Sequence, residues 1–168
     1  LGNVVDPRDI VKEYGTDALR YFLLREISSF EDSPFTLERF KDAYNSGLAN
    51  GLGNLTSRIL TLSEKYLDLV TYVRPTYRES IENFDLHKTM NIIWDNISDL
   101  DKYIQREQPF SVIKKDKEKG KELIKNCVSQ LFTIAIMLEP FLPETSQKIQ
   151  KLIKQNKKPE VPLFLRKD

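Results

Sequence analysis

Apolar residues recur along most of this chain at alternating steps of four and three, the spacing that lines up one face of an α-helix. One stripe runs through Leu48, Leu52, Leu55, Ile59, Leu62, Tyr66 and Leu69. Pro75 breaks the chain, and Leu86, Met90, Ile93, Ile97, Leu100 and Ile104 form a second stripe in a helix that Pro109 ends. A charged segment from Lys114 to Lys121 reads as a solvated loop leading into a third stripe, Ile124, Cys127, Val128, Leu131, Ile134, Ala135 and Leu138. The corner between Pro140 and Pro143 precedes a shorter helix that turns Ile149, Leu152 and Ile153 inward, and Pro159 to Asp168 reads as an extended tail.

The N-terminal part is built from shorter pieces. Asp6 and Pro7 have the chemistry of an N-cap and first helical residue, and Gly15 closes that helix. Thr16 reads as the cap of a second helix through Glu26, apolar around much of its circumference; Ser28 to Pro34 read as a loop, and Thr36 as the cap of a third helix. Helices with single apolar stripes and short connections bury those stripes only against one another. The pattern therefore predicts an all-α chain: an antiparallel helix bundle over residues 36–158, a small helical appendage over 1–35, and the tail, 159–168.

Composition narrows the function classes. The chain has 168 residues, 40% of them apolar, and a formal net charge of +1. That charge argues against a wholesale basic nucleic-acid binder, so any phosphate contact must be local. Cys127 is the only cysteine and His87 the only histidine, which leaves no zinc site or disulfide framework and points to a reducing cytoplasm. No run approaches the roughly 20 apolar residues of a membrane span. Leu1 to Pro7 are too short and polar for a secretory leader. No nucleophile triad, paired carboxylates or glycine-rich phosphate loop is present.

Several segments carry a resemblance. Leu1-Gly2-Asn3-Val4-Val5-Asp6-Pro7 resembles the stretch that follows the signature loop of class I aminoacyl-tRNA synthetases. Gly15 through Ile27, then Glu31-Asp32 and Phe35, then Tyr44-Asn45-Ser46 through Leu52-Gly53-Asn54-Leu55, resemble methionyl-tRNA synthetases in order and spacing. The likeness continues through Asp101-Lys102-Tyr103-Ile104, Gln108-Pro109-Phe110, the Pro140 to Pro143 corner and Pro162-Leu163-Phe164. It implies a stem-contact region over 1–35 and an anticodon-binding bundle behind it, with the nucleotide-binding catalytic fold lying upstream. The expected partners are the anticodon loop of tRNA(Met) and that catalytic domain. On this reading the chain alone catalyses nothing and holds no cofactor; the full-length enzyme is a methionine–tRNA ligase whose ATP and methionine sites lie elsewhere.

In that family an Asn and an Arg one helical turn apart on the first long helix meet the anticodon, together with an aromatic residue that follows a Pro. Asn54, Arg58 and Phe110 match those positions here. Phe110 replaces the common Trp, and Asp101 stands where Asn is frequent. The chemistry agrees: residues four apart share a helix face, and an amide beside a guanidinium suits the Watson–Crick edge of a splayed-out base. Gly47 and Gly51 lie on the same flank, with Asn50 between them. Each helical glycine costs roughly 0.5–1 kcal/mol against alanine, which suits either close approach of RNA to the backbone or admission of a neighbouring helix. Two rival readings stand beside this one. A docking module that reads no base requires an exposed apolar patch around Phe22, Leu23 and Leu24. A sibling class I synthetase requires Phe110 to lie far from Arg58.

Overall fold

Asp6 begins the first helix by accepting the Arg8 amide hydrogen at 2.8 Å, with Pro7 in the first turn where its missing N–H costs nothing. In this computed structural model, which describes residues 6–27, 35–68 and 86–168, that helix is α1 (Pro7–Tyr14). Gly15 ends it at φ 89°, a conformation open to glycine, and the chain restarts at once as α2 (Thr16–Tyr21). Thr16 is thus the first residue of α2, and the cap position belongs to Gly15. From Phe22 to Glu26 the helix widens into a π-helical turn. The expected loop from Ser28 to Pro34 lies outside the described residues, as do Leu69 and the break at Pro75.

Thr36 caps α3 (Leu37–Ala43), its hydroxyl accepting the Arg39 amide hydrogen at 3.2 Å. The helix then widens again over Tyr44–Gly53 before resuming as α4 (Asn54–Tyr66). The remaining helices are α5 (Leu86–Glu107), α6 (Pro109–Lys115), α7 (Lys117–Leu138) and α8 (Pro143–Gln155). Two predicted features changed here. Pro109 does end a helix, but it also opens α6, because a residue without an N–H suits a helix start as well as a stop. The charged segment expected as a loop is helical from Lys117 onward, with Asp116 capping it through the Lys119 amide. Its Gly120 is buried where a β-carbon would overlap Ile113 on α6.

The stripes predicted from spacing form the core. Leu48, Leu52, Met90, Ile93, Leu100, Val128, Leu131, Leu138 and Ile149 are fully buried, whereas Leu86, the first residue of its stripe, is exposed. α7 is the central helix, with α4, α5, α6 and α8 all packed on it. It runs opposite to α6 and α8, since Ile113 lies by Gly120 and the Ser146 hydroxyl donates to the Ala135 carbonyl. The antiparallel arrangement is thus organised around α7. α4 and α5 point the same way, and although each packs on α7 they stand apart from one another. A groove runs between them.

The tail is strapped down. Phe164 is buried, Tyr44 donates its hydroxyl hydrogen to the Leu165 carbonyl at 3.0 Å, and the Asn45 amide bonds both the N–H and the C=O of Lys167. Of the three residues that a docking patch needs, Phe22 is fully buried, Leu24 is half-buried and Leu23 alone is exposed. Among the described residues, no helix is long and apolar enough to cross a membrane.

Candidate nucleic-acid interface

The groove between α4 and α5 widens into two adjoining cavities. The first, about 430 Å³, is lined on one side by the π-helical segment and the start of α4 through Gly47, Asn50, Gly51, Asn54 and Arg58, and on the other by Trp94, Ile97, Ser98 and Asp101 of α5. The second, about 400 Å³, is lined by Ser57, Arg58, Thr61 and Leu62 of α4, Ile104 of α5 and Phe110 of α6. Arg58 belongs to both. The structure thus joins Arg58 to Asn54 on one side and to Phe110 on the other, while Asn54 and Phe110 occupy neighbouring cavities and not a single one. The flanking residues Gly47, Asn50 and Gly51 sit with Asn54.

The guanidinium of Arg58 is held by an ion pair across the groove. Its Nη1 lies 2.5 Å from Asp101 Oδ1, and Asp101 Oδ2 accepts from Gln105 Nε2 at 2.5 Å. Arg58 and Asp101 are each a little over one-third exposed, so the pair contributes about 0–1 kcal/mol to stability and its larger effect is to fix where the guanidinium points. Asn54 and Asn50 are exposed, and among the described residues their side chains make no hydrogen bond. Their amides are free for a ligand. The second cavity is different in kind, since Ser57 and Thr61 spend their hydroxyl hydrogens on the carbonyls of Gly53 and Ser57. What remains is an apolar slot closed by an aromatic ring.

Local backbone geometry aims that ring. Gln108 adopts φ 46° and ψ 54°, a left-handed conformation strained for a residue with a side chain, above all before a proline. It turns the chain sharply between α5 and α6, and its carbonyl accepts the Ser111 and Val112 amide hydrogens. Pro109 and Ile113 are buried and hold α6 down, whereas Phe110 is 43% exposed. Phe110 is therefore presented to the groove.

The two glycines on the flank part company. A β-carbon at Gly47 would overlap the Tyr21 hydroxyl and approach Trp94 Nε1 to 3.4 Å, so Gly47 admits neighbouring side chains. At Gly51 a β-carbon meets only the Ser46 carbonyl oxygen, at 3.2 Å, and otherwise faces the cavity. Below Gly47, Tyr21 packs on Trp94 with ring centroids 4.6 Å apart, and the Arg25 guanidinium lies over both rings. Burial, with the nearby Glu26 carboxylate, raises the Tyr21 phenol well above its ordinary pKa. That phenol stays protonated and donates to Glu26 at 2.9 Å.

Sequence reasoning missed Asp101 as the partner of Arg58, and it missed Trp94, Ile104, Ser57 and Thr61 as walls. Their positions in or beside the predicted stripes were a usable signal, but only once α4 and α5 were known to run in the same direction.

Comparison with known proteins identifies the family and the fold. Residues 1–60 match the family described as class I tRNA synthetases (M), and residues 61–162 match the anticodon-binding domain of methionyl tRNA ligase. The methionine–tRNA ligase of Caldanaerobacter subterraneus subsp. tengcongensis is 36% identical over 169 residues, covering 88% of this chain and 26% of the relative. That of Thermotoga maritima is 30% identical over 178 residues, covering 95% of this chain and 28% of the relative. The chain thus spans about a quarter of the length of these relatives. Among solved structures, Mycobacterium tuberculosis methionyl-tRNA synthetase in complex with methionyl-adenylate superposes with a TM-score of 0.77 at 28% identity, over 90% of this chain and 34% of that one. The apo form of the Mycobacterium enzyme, at 24% identity and a TM-score of 0.79 over 98% of this chain and 41% of that one, supports the fold alone. With one family description covering residues 61–162 and relatives at this level of identity, the chain belongs to the methionyl-tRNA ligase family.

Proposed function

We propose that this chain recognises the anticodon loop of tRNA(Met) as part of a cytoplasmic methionine–tRNA ligase, which joins methionine to its tRNA at the expense of ATP in a catalytic domain outside residues 1–168. In this division residues 1–35 contact the stem region, 36–158 form the bundle that meets the anticodon, and 159–168 strap the two together. The observation that carries the reading is the placing of Arg58 on the wall shared by two cavities, with the free amide of Asn54 in one and the exposed ring of Phe110 in the other. Single-stranded loop bases are read by splaying them out, stacking them on aromatic rings and hydrogen-bonding their edges. Here the stacking surface and the polar groups adjoin and are held from both sides of one groove.

Selection at the first anticodon base then follows from a rigid polar site, because a wrong base leaves Asn54 and Arg58 without matching groups. The test is binding of an anticodon stem-loop carrying CAU against one with its first base changed. The expected result is weaker binding of the changed loop, and a loss on Arg58→Ala of about 1.5–3 kcal/mol for a charged hydrogen bond. Equal affinities for the two loops, or an Arg58→Ala variant that binds as the parent does, sinks the reading.

A further inference from the structure

Asp101 places a carboxylate in the same cavity as Asn54, where simple attraction of RNA phosphates calls only for positive charge. Its two oxygens are each held once, Oδ1 by Arg58 and Oδ2 by Gln105. An ionised carboxylate offers about four lone-pair positions, so each oxygen keeps acceptor capacity on a side chain still 35% exposed. Arg58, pinned beside it, offers further N–H groups in a fixed planar fork. The cavity wall therefore presents an immobile acceptor directly next to an immobile donor.

We propose that Asp101 sharpens specificity at this site. Its carboxylate accepts a hydrogen from the exocyclic amino group of the base that enters beside Asn54, while Arg58 donates to the neighbouring ring nitrogen or carbonyl. The inference rests on the anticodon reading given above. Cytosine carries that amino group next to an acceptor, and acceptance from it by Asp or Glu is a recognised pairing. Uracil sets a carbonyl oxygen against the carboxylate, acceptor against acceptor. It can offer its ring N–H only by sliding along its edge, and a carboxylate held on both sides by Arg58 and Gln105 does not follow.

The test compares CAU and UAU stem-loops binding to the full-length protein and to its Asp101→Asn variant, whose amide has the same shape but presents either a carbonyl or an amino group. Wild type is expected to favour CAU by about tenfold or more, the discrimination typical of a good base contact. Asn is frequent at this position in the family the chain resembles, so the variant is expected to keep a preference for CAU but to lower the ratio about threefold or more by gaining affinity for UAU. A uniform loss for both loops with the ratio unchanged overturns the proposal and leaves Asp101 as a residue that only holds Arg58. A second measurement needs no variant: a stem-loop whose first base is pyrimidin-2-one, which lacks the amino group, is expected to bind wild type about tenfold more weakly. Unchanged affinity for that loop overturns the assignment even if CAU and UAU are distinguished. A wild-type protein that distinguishes neither loop, with Arg58→Ala equally indifferent, overturns the base reading itself and this inference with it.

Discussion

Asp17 on α2 accepts the amide hydrogen of Thr145 at 2.6 Å, so a side chain 128 positions away caps the first turn of α8. The residue at the cap position of α8, Leu142, has no side chain able to do so. This bond, together with the Arg20 Nε–H donated to the Phe141 carbonyl at 2.8 Å, ties the N-terminal helices to the corner between α7 and α8. Asp17 is 5% exposed. Asp17→Ala leaves a helix-terminal N–H unsatisfied and is expected to lower stability by about 1–3 kcal/mol in urea denaturation. Asp17→Asn keeps an acceptor and should lose less. Indistinguishable unfolding midpoints for Asp17→Ala and wild type would show that the cap contributes nothing.

The two flanking glycines give opposite expectations. Gly47→Ala drives a methyl into the Tyr21 hydroxyl, which Glu26 and Arg25 hold in place, and an overpacked core costs about 1–3 kcal/mol. Gly51→Ala meets the Ser46 carbonyl oxygen at 3.2 Å, a tight contact that offsets the helix propensity alanine gains, and should leave thermal stability within about 1 kcal/mol. Its effect should appear in RNA binding, where the new methyl narrows the cavity beside Asn54. A Gly51→Ala variant that is stable and binds the CAU loop at full strength removes the backbone-approach explanation for that glycine.

The contrast between these glycines shows where sequence reading stops. Apolar periodicity identified Leu48, Leu52, Ile93, Leu100 and Val128 as core because helix geometry converts spacing directly into a face. It also placed Asn54 and Arg58 together, four positions apart on one helix. α6 was not legible, since nothing in Gln108 announces a left-handed residue as a glycine would have done. The Arg58–Asp101 pair was not legible either, because it depends on two helices running the same way across a groove, a tertiary fact that no local pattern carries. Nor does the sequence separate Gly47 from Gly51. Only the position of Tyr21 does.

Phe110 offers a cleaner functional probe than either glycine, because its ring is 43% exposed while its neighbours Pro109 and Ile113 anchor the helix. Phe110→Ala should therefore fold normally yet bind the anticodon stem-loop more weakly by about 1–3 kcal/mol, the usual worth of one base stacked on an aromatic ring. Phe110→Trp retains a stacking face and should bind at least as well as wild type. Fluorescence anisotropy for binding and a thermal melt for folding separate the two effects. A Phe110→Ala protein with unchanged affinity would reduce Phe110 to a wall residue.

Cys127 links burial to alkaline stability. Its thiol lies in the core of α7 at 2% exposure, and burial pushes its pKa from an ordinary 9.0 up to about 12. Below pH 9 both folded and unfolded thiols are protonated and the group adds no pH dependence. Above it the unfolded thiol ionises while the folded one does not, so protons are lost on unfolding and stability falls as pH rises toward 12. The slope from this one group is at most about 1.4 kcal/mol per pH unit. Tyr21, whose phenol is also raised by burial, adds to the decline further into the alkaline range. Urea midpoints measured from pH 7 to 10.5 should therefore fall above about pH 9 for wild type. They should fall less steeply for Cys127→Ala, whatever that variant loses in packing at neutral pH. The same burial should keep the folded thiol inert to aromatic disulfide reagents at pH 8 until denaturant is added. Rapid labelling of the native protein would show that the core around α7 opens locally, and the predicted alkaline slope would then shrink with it.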